Sequence, residues 1–254
     1  MSTSCNTCGQ AMPVKSHFFR KRLPGYGESF GIIGVTQHGK STWAKEWAAW
    51  LITKGHSVIA WDPADEWSIH GKQRKHCKRG PLRDSVFLSE LVKNARKWLT
   101  RKGLQLAVKP NPYPPGGAFE GKRQIGPNEW VSRQFTTFTT LVRGWTPPRV
   151  PIAFFIDEVN LLFKYAEAAL DDIAERWAKD EIVPIFLGQR WMHFTKNMRA
   201  QIAWLISFKQ VKQHDLLFIG QEAGRDFARA LPSLLPGSYR VANLRQAHPE
   251  TLAH

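Results

Sequence analysis

Apolar positions along this chain gather into short runs, with longer amphipathic stretches between them. Residues 29–33 (SFGII), 56–61 (HSVIAW), 104–108 (LQLAV), 152–157 (IAFFID), 182–187 (IVPIFL), 203–208 (AWLISF) and 238–244 (SYRVANL) have the length of strands. Several are apolar throughout, as in strands covered on both faces. Pro184 weakens one of them, because proline cannot donate to a sheet ladder. The intervening stretches repeat near the helical period. Residues 42–53 carry Trp43, Trp47, Trp50 and Leu51 on one helical face and stop at Lys54-Gly55. Residues 84–101 predict a second helix. A third follows Asn128, its expected cap, through Trp130, Val131, Phe135, Phe138 and Val142, and Thr146-Pro147-Pro148 closes that region. Tyr165, Ala169, Ile173 and Trp177 mark one face of a further helix. Residues 215–230 predict another, interrupted near 220–224. Residues 109–126 are rich in Pro and Gly and predict an irregular loop. Strands alternating with helices give an α/β fold, a mostly parallel sheet with helices on both faces. The first strand, helix and second strand would make a β-α-β unit with a right-handed crossover.

One stretch brings chemistry to this frame. Gly34-Val35-Thr36-Gln37-His38-Gly39-Lys40-Ser41 fits G-x-x-x-x-G-K-[ST] at every fixed position, between a predicted strand and a predicted helix. Its glycines let successive N–H groups turn toward a phosphate chain, and the helix N-terminus at Lys40, Ser41 and Thr42 adds partial positive charge. Lys40 would reach the β- and γ-phosphates, and Ser41 would ligate Mg²⁺. The loop therefore predicts a bound nucleoside triphosphate. Asp157 ends the most apolar strand, at the edge where open α/β sheets hold ligands, and would support the Mg²⁺. Glu158 beside it is the candidate general base. An Asp-Glu pair could instead only cap the next helix, but the phosphate loop upstream favours catalysis. Gln189 closes the following strand, where a carboxamide could bond both the attacking water and the γ-phosphate. The plain alternative is a surface glutamine in a loop.

Charge narrows the partners. Lys and Arg outnumber Asp and Glu 36 to 21, for a net charge of +15, which suits a protein that handles a polyanion. The basic stretch 70–83 (HGKQRKHCKRGPLR) is the first candidate for contact with a nucleic-acid backbone. Lys93, Arg96, Lys97 and Arg101 form a second cluster, and residues 15–22 (KSHFFRKR) a third. The 11 tryptophans fall mostly on predicted core faces, so packing is preferred to base stacking. Three cysteines do not make a disulfide framework. Cys5 and Cys8 resemble one zinc knuckle, but a closed site takes four ligands and only His17, His76 and Cys77 remain. A free cysteine pair is the preferred reading. No apolar run approaches the ~18 residues of a membrane span, and residues 1–10 lack a signal-peptide pattern. The expected organisation is an N-terminal arm (1–27), one domain (28–245) and a short tail (246–254).

The phosphate loop, the strand ending in Asp157-Glu158 and the strand ending in Gly188-Gln189-Arg190, in that order, resemble the FtsK/HerA superfamily of DNA-pumping ATPases. Residues 197–244 look like that family's closing segment, whose rhythm covers 206–241, so the resemblance spans residues 30–244. It implies a RecA-like P-loop NTPase core that hydrolyses ATP with Mg²⁺, with Lys40, Glu158 and Gln189 in catalytic roles. It further implies a homo-oligomeric ring, usually a hexamer, in which an arginine completes the neighbour's site. Arg143, Arg149 and Arg190 lie near strand ends and are the candidates. A nearly bare motor of this length resembles the genome-packaging ATPases of tailless icosahedral viruses with an internal membrane. That implies pumping of double-stranded DNA, a place in the host cytoplasm or at a virion vertex, and a capsid, portal or membrane protein as partner. The zonula occludens toxin-like assembly ATPases of filamentous phages share the core but usually add a transmembrane segment. A small-molecule P-loop kinase is a third reading; Glu158 speaks against it, and residues 121–123 are its one candidate for a lid.

Overall fold

The computed structural model describes residues 23–25, 27–72, 80–95, 97, 103–143, 152–177 and 181–245. β1 (Phe30–Ile33) runs into the phosphate loop and α1 (Lys40–Thr53) runs out of it, followed by β2 (Ser57–Trp61), β3 (Asp84–Phe87), α2 (Leu88–Lys93) and β4 (Gln105–Lys109). A small hairpin, β5 (Ala118–Glu120) and β6 (Arg123–Ile125), precedes α3 (Pro127–Arg143). Then come β7 (Ile152–Ile156), α4 (Val159–Leu162), α5 (Glu167–Arg176) and β8 (Ile182–Gly188). The last elements are α6 (Lys196–Gln201), β9 (Trp204–Ser207), α7 (Gln213–Ala223), α8 (Arg225–Ala230) and β10 (Arg240–Asn243).

Eight of the strands form one sheet in the order β10-β9-β1-β8-β7-β2-β4-β3. All are parallel except β10, which closes one edge antiparallel to β9. The apolar runs reflect two cores, one on each face. Along β7, Ile152, Phe154 and Ile156 enter one core while Ala153 and Phe155 enter the other, as the two-residue period requires. α1 covers the second face with Trp43, Trp47 and Leu51. α3 and α5 cover the first, through Phe135, Phe138 and Val142 and through Leu170, Ile173 and Ala174.

The structure departs from the sequence pattern in four places. Residues 84–87 form an edge strand paired with β4, and the helix predicted over 84–101 begins only at Leu88. The loop predicted over 109–126 contains the β5–β6 hairpin. α3 starts at Pro127, whose missing N–H costs nothing in a first turn, so Asn128 lies inside the helix instead of capping it. Tyr165 sits in the turn between α4 and α5, 44% exposed, and is not on a helical face. The strand expected over 182–187 forms as β8, fully buried and central, with Pro184 inside it. The break expected near 220–224 falls at Gly224, between α7 and α8. Residues 1–22, including Cys5, Cys8 and His17, lie outside the described residues, as do 73–79 with His76 and Cys77. The same holds for Arg96, Arg101, Arg149 and residues 246–254. Among the described residues no helix is long and apolar enough to cross a membrane.

Candidate active site

Strand order decides which side chains meet. β8 lies between β1 and β7, so the strands ending in the phosphate loop, in Gln189 and in Asp157-Glu158 are consecutive in the sheet. Ile33 pairs with Gly188 and Ile156 with Phe186. Continuing that register sets Gly34 level with Gln189 and Glu158 level with Gly188. Neighbouring strands stand about 4.8 Å apart, so β1 and β7 end about 10 Å apart.

The loop's backbone is shaped by packing beneath it. A Cβ on Gly34 would sit 2.6 Å from the Phe208 Cβ, so only glycine fits there. Gly39 precedes α1 at φ 93°, a left-handed conformation that glycine adopts freely, and Gln37 holds φ 66°. Two contacts fix the loop from outside: Val35 N–H donates to the Lys209 carbonyl (3.0 Å) and Gly237 N–H to the His38 carbonyl (3.1 Å). Among the described residues, none of the N–H groups from Thr36 to Ser41 donates to a main-chain carbonyl. These donors stand at a helix N-terminus with no acidic residue in its first turn, an arrangement that accepts an anion. Lys40 is only 7% exposed, and among the described residues it makes no hydrogen bond or ion pair. A buried ammonium in that state calls for a negative partner.

The acidic side of the site is held firmly. Asp157 is 3% exposed, and its Oδ2 accepts from the Trp67 indole N–H at 2.8 Å. Its Oδ1 accepts from the Glu158 main-chain N–H at 2.9 Å. Each oxygen keeps a second lone pair for a metal-bound water. Glu158 takes a left-handed backbone (φ 55°, ψ 50°) and precedes α4 without a side-chain capping bond, so helix capping does not account for it. The side chains of Ser41, Glu158 and Gln189 make no hydrogen bond or ion pair among the described residues. Lys40, Ser41, Glu158 and Gln189 thus end at one sheet edge uncommitted, while Asp157 is fixed.

The sequence pattern did not single out the loop after β2. Asp62 continues β2 beside Asp157 and is fully buried, accepting from the N–H groups of Glu66 (2.9 Å) and Trp67 (2.8 Å). Burial pushes its carboxyl up to about 6; the two N–H bonds pull it down, and Asp157 and Asp65 push it further up. Lys45 of α1 pairs with Glu66 at 3.3 Å in the interior, so this loop is fastened to α1 as well. The signal was present as Asp62-Pro63 at a strand end, but only the fold brings Trp67 to Asp157.

The donor set suits Mg²⁺ carried in with phosphates. Such a site needs a hydroxyl, one or two carboxylates and phosphate oxygens, as Ser41 and Asp157 with a nucleotide would supply. No cluster of three or more protein metal ligands occurs among the described residues. Of the arginine candidates, Arg190 is committed within its own chain to the buried Asp215 at 2.8 Å. Arg143 is 56% exposed, 3.4 Å from Asp172. Arg123, in the segment considered as a lid, is held by Glu120 (2.9 Å) and Glu129 (2.6 Å) on the hairpin and α3.

No known family profile matches the chain, and no curated protein sequence matches it. Solved structures match its fold. The genome packaging NTPase B204 of Sulfolobus turreted icosahedral virus 2, in complex with ATP-gammaS, superposes with a TM-score of 0.57 at 14% identity, covering 89% of this chain and 96% of that one. B204 of Sulfolobus turreted icosahedral virus, a DNA-packaging ATPase, gives 0.53 at 16% identity over 87% and 95% of the two chains. The bacterial conjugative coupling protein TrwBdeltaN70 gives 0.54 at 11% identity over 86% and 82%. The shared feature is the RecA-like P-loop NTPase fold.

Proposed function

We propose that this chain is an ATP-driven DNA translocase, and that it serves as a viral genome-packaging ATPase. The observation that carries the ATPase reading is the set of uncommitted groups at one sheet edge. Loop N–H donors, Lys40 and Ser41 follow β1, Gln189 follows the neighbouring β8, and Glu158 follows β7 on the far side of β8. In this reading the loop and Lys40 hold the β- and γ-phosphates. Ser41 and Asp157 would hold a Mg²⁺, which would supply neutralisation of phosphate charge when bound. Glu158 accepts the proton of the attacking water, and Gln189 orients that water against the γ-phosphate. Assembly as a ring belongs to the same proposal, with Arg143 more exposed than Arg190, the other described candidate to serve a neighbour. Support for DNA and packaging comes from the net charge of +15 and from the likeness in fold to B204, a DNA-packaging ATPase, and to TrwBdeltaN70, a conjugative coupling protein.

The direct test is Glu158→Gln, assayed for phosphate release and for binding of a fluorescent ATP analogue. Loss of the base should lower turnover by about 10²–10⁴-fold while nucleotide affinity stays within a few-fold of the parent. Parental turnover in the variant would remove Glu158 from the mechanism.

A further inference from the structure

The turn after β8 is fastened to α7 and the segment leading into it by four polar contacts. Gln210 Nε2 donates to the Gln189 carbonyl at 3.0 Å. Arg190 Nε donates to Asp215 Oδ2 at 2.8 Å, and Met192 N–H donates to Asp215 Oδ1 at 3.1 Å. Trp191 Nε1 donates to Glu222 Oε2 at 2.7 Å, and the other oxygen of Glu222 accepts from Arg199 Nε at 3.0 Å. Gln210 and Asp215 are both fully buried. A buried carboxylate is tolerated only when its oxygens are paired, and Asp215 places both of its bonds on this one turn. Gln210 also bridges more than its neighbours in sequence. β9 and β8 flank β1, so its carboxamide crosses the root of the phosphate loop, next to the Lys209 carbonyl that receives Val35 N–H. The far side of this segment faces outward: Val211 is 50% exposed and Leu217 on α7 is 57% exposed.

We propose that Asp215 is a positioning residue that locks the turn of Gln189, Arg190 and Met192 onto α7, so that the nucleotide state sensed at Gln189 is delivered to that helix. The inference rests on the ATP-site reading above. A displacement of Gln189 cannot be absorbed inside its own turn, because the carbonyl of Gln189, the side chain of Arg190 and the amide of Met192 are each bonded to residues 210–215. The displacement therefore reaches α7, whose packed and polar contacts give it discrete arrangements rather than a continuum. Asp215 is distinct from the proposed catalytic groups: its two oxygens accept from Arg190 and Met192.

The test is amide hydrogen exchange of the full chain, with and without Mg²⁺ and a non-hydrolysable ATP analogue, read for the phosphate loop, for residues 189–193 and for α7. In the parent protein the analogue should slow exchange in all three, α7 by about tenfold, the size of an ordinary coupling between sites. In Asp215→Asn the phosphate loop should still respond and α7 should not. The variant carrying Asp215→Asn with Arg190→Gln leaves no buried charge unpaired, and it should behave the same way if the single variant folds poorly. An α7 response equal in parent and variants, or absent from the parent while the phosphate loop responds, overturns the coupling and leaves the ATP site standing. Absence of any response at the parent's phosphate loop overturns the ATP site, and the coupling with it.

Discussion

Glu158 holds a backbone conformation that side chains avoid, at a cost of about 1–3 kcal/mol. It does so where Asp157 accepts its main-chain N–H, so the bend that frees the Glu158 carboxylate also orients Asp157. Behind them, Asp62 carries a measurable consequence. Its folded carboxyl titrates near 6, above its ordinary value of 3.8. Between those two values the folded state keeps a proton that the unfolded chain has lost, so this group's contribution to stability falls as pH rises. Urea midpoints of the parent and Asp62→Asn, taken at pH 4 and at pH 7, should show the variant gaining relative to the parent at the higher pH. A difference that does not change with pH would show that Asp62 is not buried as a protonated acid. At this scale the sequence exposed what is local. Gly34 through Ser41 and Asp157-Glu158 are contiguous, and their chemistry can be read without a fold. Trp67 touches Asp157 across 90 residues of sequence and Asp215 meets Arg190 across 25, so no motif reveals either.

Among the elements, α1 does most to hold the site in place, because its first turn is part of the phosphate loop. Trp47 is completely buried on it, edge-on to Phe30 (5.0 Å between centroids) and to Phe155 (6.0 Å). These rings join the helix to β1 and β7, the strands that carry the loop and Asp157. Trp47→Ala should cost about 3–5 kcal/mol, read as a shift in the urea midpoint, and a loss below 1 kcal/mol would contradict this packing. α1 and the buried strands were legible because their apolar residues repeat at one period over a long enough stretch. β3 was not legible: it is a four-residue edge strand in which only Val86 is buried, too little pattern to set against a helical neighbour. The β5–β6 hairpin, with three residues per strand, was hidden among the prolines and glycines of its segment for the same reason. Pro184 weakened the strand expected over 182–187, and the strand forms nonetheless, because burial on both faces of β8 outweighs one lost ladder bond.

For the molecule as a whole, the sheet brings three chemistries to one edge, in a chain with 36 basic and 21 acidic residues. A strand order with β8 between β1 and β7 could not be read from the order of strands along the chain, since parallel crossovers allow either neighbour. That order is what makes Gln189 a neighbour of both the phosphate loop and Asp157. The motor reading joins this edge to the charge, and steady-state ATP hydrolysis with and without double-stranded DNA, titrated with salt, tests the junction most directly. Contacts to several phosphates release counterions, so stimulation by DNA should fall steeply with salt, by about 10³-fold or more in apparent affinity between 50 and 200 mM for six or more contacts. Hydrolysis stimulated by DNA at low salt, and losing that stimulation as salt rises, is the result predicted here. Equal hydrolysis with and without DNA at every salt concentration would contradict the motor and leave an ATPase that works on something else.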